Sequence, residues 1–309
     1  MNYSKNYLSE IGKRTGFITA NLEKVIRLLD VLEFIFSRSD FREKLVLKGG
    51  TAINLAYTHF KRLSIDIDLD YHGSLEREVM LLDREIILRG LDDFMLRNGY
   101  EVSKKSREST ALISRSYRYK NASGNIDNIK VDINFLDRVS LYDSSAFDLH
   151  LFDHSLTVVV PNKEELFGMK TAALLARSKP RDVYDYLFFV DHINEFDLFR
   201  YRKAAVFYLS LDNIYSIDDA SFNLIRSLNY HNIMTELTPV LSKNERFDLE
   251  QAKAKVIFTL QKVLALEADE QSYLNKLKQG EYCPELLLGK EIGERVRRHP
   301  MALWRVKSK

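Results

Sequence analysis

The sequence predicts an α+β protein, with a sheet-bearing amino-terminal part over 1–160 and a mainly helical part over 161–309. Three observations carry this. Short segments that alternate apolar and polar residues, the pattern of half-buried strands, fall before residue 160. A Gly-Gly pair links a brief apolar run to a segment of helical period. Beyond Asp182 the chain is dominated by long amphipathic stretches, such as 248–267 and 270–279, with few strand signals.

Taken in order, residues 17–38 place Val25, Leu28, Leu29, Leu32 and Ile35 at helical spacing. "KLVLKGG" reads as a strand entering a tight turn, and "TAINLAYTHF" as a helix with Thr51 at its N-cap or in its first turn. "KRLSIDIDLDY", Lys61 to Tyr71, reads as a strand. A helix is expected over 75–97, with Val79, Leu82, Ile86, Leu91 and Phe94 as its apolar positions. Residues 111–119 and 128–136 read as paired strands around the turn-rich "NASGN". "TVVVPNKEEL" adds one short strand and then a helix from Asn162 to about Ser178.

The chain has 309 residues, 45% of them hydrophobic, enough for a sizeable core in one large or two ordinary domains. With 46 Lys and Arg against 44 Asp and Glu, the net charge excludes neither a nucleic-acid partner nor an acidic small molecule. The single cysteine, Cys283, cannot form an internal disulfide, which points to a reducing cytoplasm. The first residues lack the apolar core of a signal peptide, and no apolar run is long enough to cross a bilayer. A soluble cytoplasmic protein is expected.

The chemistry lies in the amino-terminal half. In a strand, residues i and i+2 project to one side, so Ser64, Asp66, Asp68 and Asp70 share a face while Ile65, Ile67 and Leu69 turn to the core. "NIKVDINFL" repeats the alternation, with Ile129, Val131, Ile133 and Phe135 inward and Lys130, Asp132 and Asn134 outward. If the two strands are neighbours, Asp132 approaches Asp66 and Asp68. Carboxylates crowded in this way resist joint ionisation unless a cation neutralises them. Oxygen ligands without histidine or cysteine favour Mg²⁺ or Mn²⁺. Upstream, Gly49 and Gly50 let backbone N–H groups approach a phosphate, aided by the positive end of the next helix. Alone, each feature has a plain reading: a solvated strand face, or an ordinary strand-to-helix turn. Together they describe a site for a metal–nucleoside triphosphate, with the third aspartate orienting or deprotonating an incoming hydroxyl. Asp70 is expected at the strand's wet end.

"KGGTAINLAYTHFKRLSIDIDLDY" resembles the Gly-Gly…D-x-D signature of the DNA polymerase β-like nucleotidyltransferase superfamily. "LVLKGGTAINLAY…KRLSIDIDL" is similar, more narrowly, to the AbiEii family of toxin nucleotidyltransferases, which pair with a repressor-like antitoxin in type IV toxin–antitoxin systems. "PNKEELFGMKTAALLARSKPRDVYDYLFF" and "RHPMALW" resemble further blocks of that family, so the similarity touches most of the chain. The resemblance implies a polymerase β-like sheet with flanking helices. It places Gly49, Gly50 and Thr51 along the triphosphate with Ser64 beside them, and Asp66 and Asp68 at the metal. Asp132 becomes the third carboxylate, Lys170 a phosphate contact and Asp182 part of the final acidic motif. Leu63-Ser64-Ile65 departs from the family pattern, which has an aromatic residue before the serine and an acidic one after it; neither position need coordinate metal.

Helical spacing puts Lys170, Ala173, Leu174 and Arg177 on one face, so Lys170 and Arg177 could offer cations to phosphate, with Arg181 beyond. As surface cations they would be worth little. Within "RDVYD" either Asp182 or Asp185 could be the functional acid; a helix start nearby would make Asp185 the packing or capping residue. The carboxyl-terminal cations Lys290, Arg295, Arg297, Arg298, Arg305, Lys307 and Lys309 suit a phosphate backbone and are equally consistent with a solvated helix end. Trp304 could stack on a base or anchor the tail to the core. A further expectation is that a phosphate or nucleotide added to Ser64 would crowd the metals with negative charge. The resemblance implies transfer of a nucleoside monophosphate from an NTP to a hydroxyl, with tRNA as the expected acceptor. A protein or small-molecule hydroxyl, or a nucleotide- or RNA-binding module without turnover, are the alternatives.

Overall fold

The computed structural model describes residues 3–307, and within it the chain divides into two compact units. One comprises the chain up to Arg138, Ser144–Val160 and Pro239–Glu245; the other comprises Val139–Asp143, Pro161–Thr238 and the chain from Arg246 onward.

The first unit opens with α1 (Lys5–Thr15), α2 (Thr19–Ser37) and the short α3 (Ser39–Arg42). Val25, Leu28, Leu29, Leu32 and Ile35 of α2 are all buried, as their period predicts. The chain then forms β1 (Leu45–Lys48), α4 (Gly49–Ala56), β2 (Asp66–Tyr71) and α5 (Arg77–Arg97). Two short edge strands follow, β3 (Glu101–Val102) and β4 (Arg107–Glu108), before β5 (Leu112–Lys120) and β6 (Ile126–Asn134). The sheet order is β1-β2-β6-β5-β3, with β4 also paired to β5. The β2–β6 pair is parallel and its neighbours are antiparallel. A separate hairpin joins β7 (Ser145–Leu151) to β8 (His154–Val160). Residues 239–245 return to this unit: Leu63 N–H donates to the Val240 carbonyl at 2.8 Å and Lys243 N–H to that of Gly16 at 3.0 Å.

α5 corrects one expectation. Val79, Leu82 and Ile86 are 46%, 63% and 52% exposed, and the inward face is Met80, Asp83, Ile87, Leu91 and Met95. A buried polar anchor turns the helix: Asp83 accepts from Tyr71 Oη and Lys44 Nζ, both at 2.6 Å. Gly90 completes the fit, since a Cβ there would stand 2.7 Å from Cζ of Phe41.

The second unit is helical: α6 (Lys163–Arg177), α7 (Pro180–Asp191), α8 (Leu198–Leu211), the short α9 (Asn223–Arg226) and α10 (Tyr230–Asn232), then α11 (Leu249–Val263), α12 (Ala268–Lys278), α13 (Pro284–Val296) and α14 (Pro300–Lys307). Asn162 caps α6 by accepting from Glu164 N–H at 3.0 Å. α6 and α8 cross closely at Gly168, where a Cβ would meet that of Ala204 at 2.8 Å. Beside this crossing, Tyr201 Oη lies 2.7 Å from Thr171 Oγ1 and 2.6 Å from Tyr186 Oη, so three buried hydroxyls satisfy one another. Glu165, fully buried, accepts from Leu141 N–H (2.8 Å), Tyr142 N–H (3.0 Å) and Tyr208 Oη (2.6 Å). Among the described residues no helix is long and apolar enough to cross a membrane.

Candidate active site

In the first unit the strand register aligns the candidate carboxylates. Lys48 of β1 stands opposite Asp68 of β2, Asp68 opposite Asp132 of β6, and Asp132 opposite Ser114 of β5. Directly opposed residues project to the same face of a sheet, so these four form one row across four strands. Ile67, Leu69, Ile129, Val131, Ile133 and Phe135 are wholly buried on the other face. A one-residue slip would expose that apolar set, so the core itself fixes the meeting of Asp68 and Asp132.

The glycine turn abuts the same row. β1 passes directly into α4 with no intervening loop, and Gly49 takes a φ of 70°. A Cβ at Gly49 would lie 2.7 Å from Asp68 Oδ2. Glycine is therefore required here twice, by backbone conformation and by contact. The first-turn N–H groups of α4, those of Gly49, Gly50 and Thr51, have no intrahelical acceptor and suit an anion. Thr51 stands in the first turn, not at the N-cap, and is buried; its hydroxyl lies 2.8 Å from Ser64 Oγ and also reaches the Asp66 carbonyl. Thr51 and Ser64 thus pin α4 to the start of β2. Ser64 is 8% exposed, so an enzyme that modified it would first have to open this packing.

The charges of the row are unequally satisfied. Among the described residues the side chains of Asp66 and Asp68 have no hydrogen bond and no ion pair, whereas Asp132 accepts from Ser114 Oγ at 2.6 Å and pairs with Lys130 Nζ. Burial raises the pKa of Asp68; Lys48 opposes the rise, while Asp132 and Asp66 add to it. Asp70 departs from expectation. It is fully buried and ion-paired with Lys48, which also stands 3.6 Å from Asp137. Its side chain follows the pleat to the same face as Asp68, but there the ammonium of Lys48 takes the place of water. Burial raises the pKa of Asp70 against the pull of Lys48.

Lys48, Lys130, Ser114 and Asp137 were not singled out in the sequence. Lys130 was legible two residues before Asp132, on the same strand face; the others become visible only through cross-strand register. Among the described residues no three Asp, Glu, His or Cys side chains converge closely enough to hold a metal ion as they stand. Asp66 and Asp68 nonetheless fit a hard divalent cation: their donors are all oxygen, they make no ion pair among the described residues, and burial, with Asp132 and Asp66 adding to it, raises the pKa of Asp68. Asp132 would join them by exchanging Lys130.

In the second unit, Lys170 of α6 is 5% exposed and donates to Asp182 Oδ1 at 3.0 Å and to Asp185 Oδ2 at 2.8 Å. Asp182 also accepts from Arg177 Nε at 3.1 Å. Burial opposes its ionisation, yet Lys170 and Arg177 together hold its carboxyl well below the usual range. The capping expectation is reversed: Asp182, at the third position of α7, accepts from Lys179 N–H at the helix start, while Asp185 pairs one turn further in. Arg181 has no hydrogen bond or ion pair among the described residues.

The tail is partly neutralised. Arg295 pairs with Asp143 at 2.8 Å and Arg297 with Glu294 at 2.7 Å. Trp304 does not anchor to the core; it is 48% exposed, with the Arg305 guanidinium 4.9 Å from its ring centroid. Lys309 lies outside the described residues.

Comparison with known proteins agrees with this fold. Among solved structures, MenT4, a nucleotidyltransferase toxin from Mycobacterium tuberculosis H37Rv, is similar in fold, with a TM-score of 0.66 over 99% of each chain and 15% sequence identity. No curated protein matches the sequence. The family model for the nucleotidyl transferase AbiEii toxin of type IV toxin–antitoxin systems matches residues 30–276. That span holds the glycine turn, the aspartate row and the Lys170 cluster, and the chain accordingly belongs to the AbiEii family of nucleotidyltransferase toxins.

Proposed function

We propose that this toxin moves a nucleoside monophosphate from an NTP to a hydroxyl of an RNA acceptor, the tRNA 3′ end, in the cytoplasm with Mg²⁺ or Mn²⁺, inhibiting growth or phage propagation. The observation that carries the reading is the register that sets Asp68 opposite Asp132 with Gly49 packed against Asp68. A turn suited to phosphate and a carboxylate pair suited to metal thereby meet at one point of one sheet.

The backbone amides of Gly49, Gly50 and Thr51 would receive the triphosphate, while Ser64 holds Thr51 in place. Asp66 and Asp68 would hold the cation, joined by Asp132. A bound divalent cation would neutralise charge on the triphosphate and on the departing pyrophosphate. Asp132 would orient the acceptor hydroxyl and take its proton as the oxygen attacks the α-phosphorus and the bond to pyrophosphate breaks. For Lys170 and Asp182 we keep the roles the resemblance implies: Lys170 at the nucleotide phosphates, Asp182 as the acid that holds it. Family membership implies an antitoxin partner as well as the NTP.

The test is to incubate the purified protein with each α-³²P-labelled NTP, tRNA and Mg²⁺, and to locate the label. Label joined to tRNA, with pyrophosphate released, is the expected result. Label on protein or on a small molecule would replace the acceptor, and NTP binding without pyrophosphate release would overturn turnover itself.

A further inference from the structure

The row of opposed residues does not end at Ser114. Ser114 of β5 faces Arg107 of β4, so Lys48, Asp68, Asp132, Ser114 and Arg107 stand across five strands on one face. At about 4.8 Å per strand, Arg107 lies about 10 Å of backbone from Asp132 and about 14 Å from Asp68, on the side away from the glycine turn.

A cleft of about 540 Å³ opens at this end, within the range that holds ligands. Its anions are already answered. Glu108 takes Arg84 at 2.9 Å and Arg115 at 3.3 Å, and Asp132 takes Lys130 and Ser114. Two of its cations are not: Lys105 and Arg107, both exposed, have no hydrogen bond from their side chains and no ion pair among the described residues. Leu112, 41% exposed, adds an apolar surface to the same lining. Two uncompensated cations beside neutralised anions suit a phosphodiester.

We propose that Lys105 and Arg107 grip a phosphate of the acceptor RNA strand, set back from the hydroxyl that Asp132 receives. The assignment rests on the RNA-acceptor reading above and deepens it. Displacement at the α-phosphorus is in line, so the hydroxyl must arrive from the side opposite the departing pyrophosphate. With the donor phosphates at the glycine turn, that side is the end of the row that carries Arg107. A small-molecule or protein hydroxyl has no use for two further cations there; a nucleic-acid strand does.

The test compares wild-type protein with Lys105→Glu/Arg107→Glu by fluorescence anisotropy, using labelled unfractionated tRNA over a series of KCl concentrations. Neither side chain has a partner to lose among the described residues, and thermal melting checks that the variant folds. The expected result is RNA affinity weakened by about tenfold or more, with a log–log salt slope shallower by about 1.5 to 2. Affinity for a non-hydrolysable NTP analogue with Mg²⁺ should be unchanged. Unaltered RNA affinity and slope, or wild-type protein that binds no RNA, would overturn the proposal. A parallel loss of NTP affinity would also overturn it, by placing donor phosphates at these cations. Binding is read without turnover, so the RNA-acceptor reading fails separately, when wild-type protein binds RNA but labels none.

Discussion

Two clusters of acidic residues in this protein are built to opposite ends. In the sheet, the side chains of Asp66 and Asp68 make no ion pair among the described residues, and burial together with like charges raises the pKa of Asp68 against the pull of Lys48. On α6 and α7, Asp182 and Asp185 share the ammonium of Lys170, Arg177 closes the set, and the pKa of Asp182 is lowered although it is buried. The second cluster is ion-paired within the protein; Asp66 and Asp68 are not. The contrast teaches that burial alone does not mark a reactive acid. What separates the two is whether the fold brings a cation into direct contact with the acid.

The largest expected effect breaks the sheet cluster. Asp68→Asn should lower nucleotide transfer by about 10³-fold or more, since the metal would lose one of its two fixed ligands. Thermal stability should hold or rise, because a repelled, desolvated carboxylate is gone. A melting temperature several degrees lower would show instead that Asp68 is paired as Asp182 is. Next comes the helical cluster. Lys170→Met leaves two buried carboxylates short of a cation, and should cost about 3–5 kcal/mol in urea unfolding. Unchanged stability with lost transfer would show that Lys170 serves the nucleotide phosphates alone and not the scaffold.

The smallest effect, a difference in pH response, sharpens the comparison. The pKa of Asp68 is raised above 3.8, so acid should abolish cation binding and transfer at a pH above that value, and extra Mg²⁺ should shift this limb downward. The pKa of Asp182 is lowered, so its stabilising contribution is present above 3.8 and is lost only as pH falls below it. Initial rates and circular dichroism followed down the same pH series should therefore show activity failing before the fold does. Coincident loss would remove the distinction.

Much of this geometry was legible in the chain. Period-2 alternation located β2, β5 and β6, and sorted Asp66, Asp68 and Asp132 onto one face, because a strand's pleat ties side-chain direction to sequence parity. The 3.6 period found α2, but it misjudged α5. There Leu82 and Ile86 carry the apolar signal, while the buried face turns on Asp83, a polar residue whose partners Lys44 and Tyr71 are remote in sequence. Asp70 was misplaced for a similar reason: parity gives its face correctly, but the cation that covers it comes from β1. The strands β3, β4 and β7 were missed, two of them because two residues are too few to show a period.

By itself the sequence determined which residues alternate, where the chain turns at Gly49-Gly50, and how few histidines and cysteines are available as soft ligands. Those are local properties, set by backbone sterics and side-chain chemistry. Only the tertiary structure decided that Asp68 meets Asp132 in a parallel pair, that Lys48 and Lys130 take up Asp70 and Asp132, and that Arg107 closes the same row at its far end. Register joins residues far apart in the chain, and it is set by burial of the opposite, apolar face, a condition that no single segment can express.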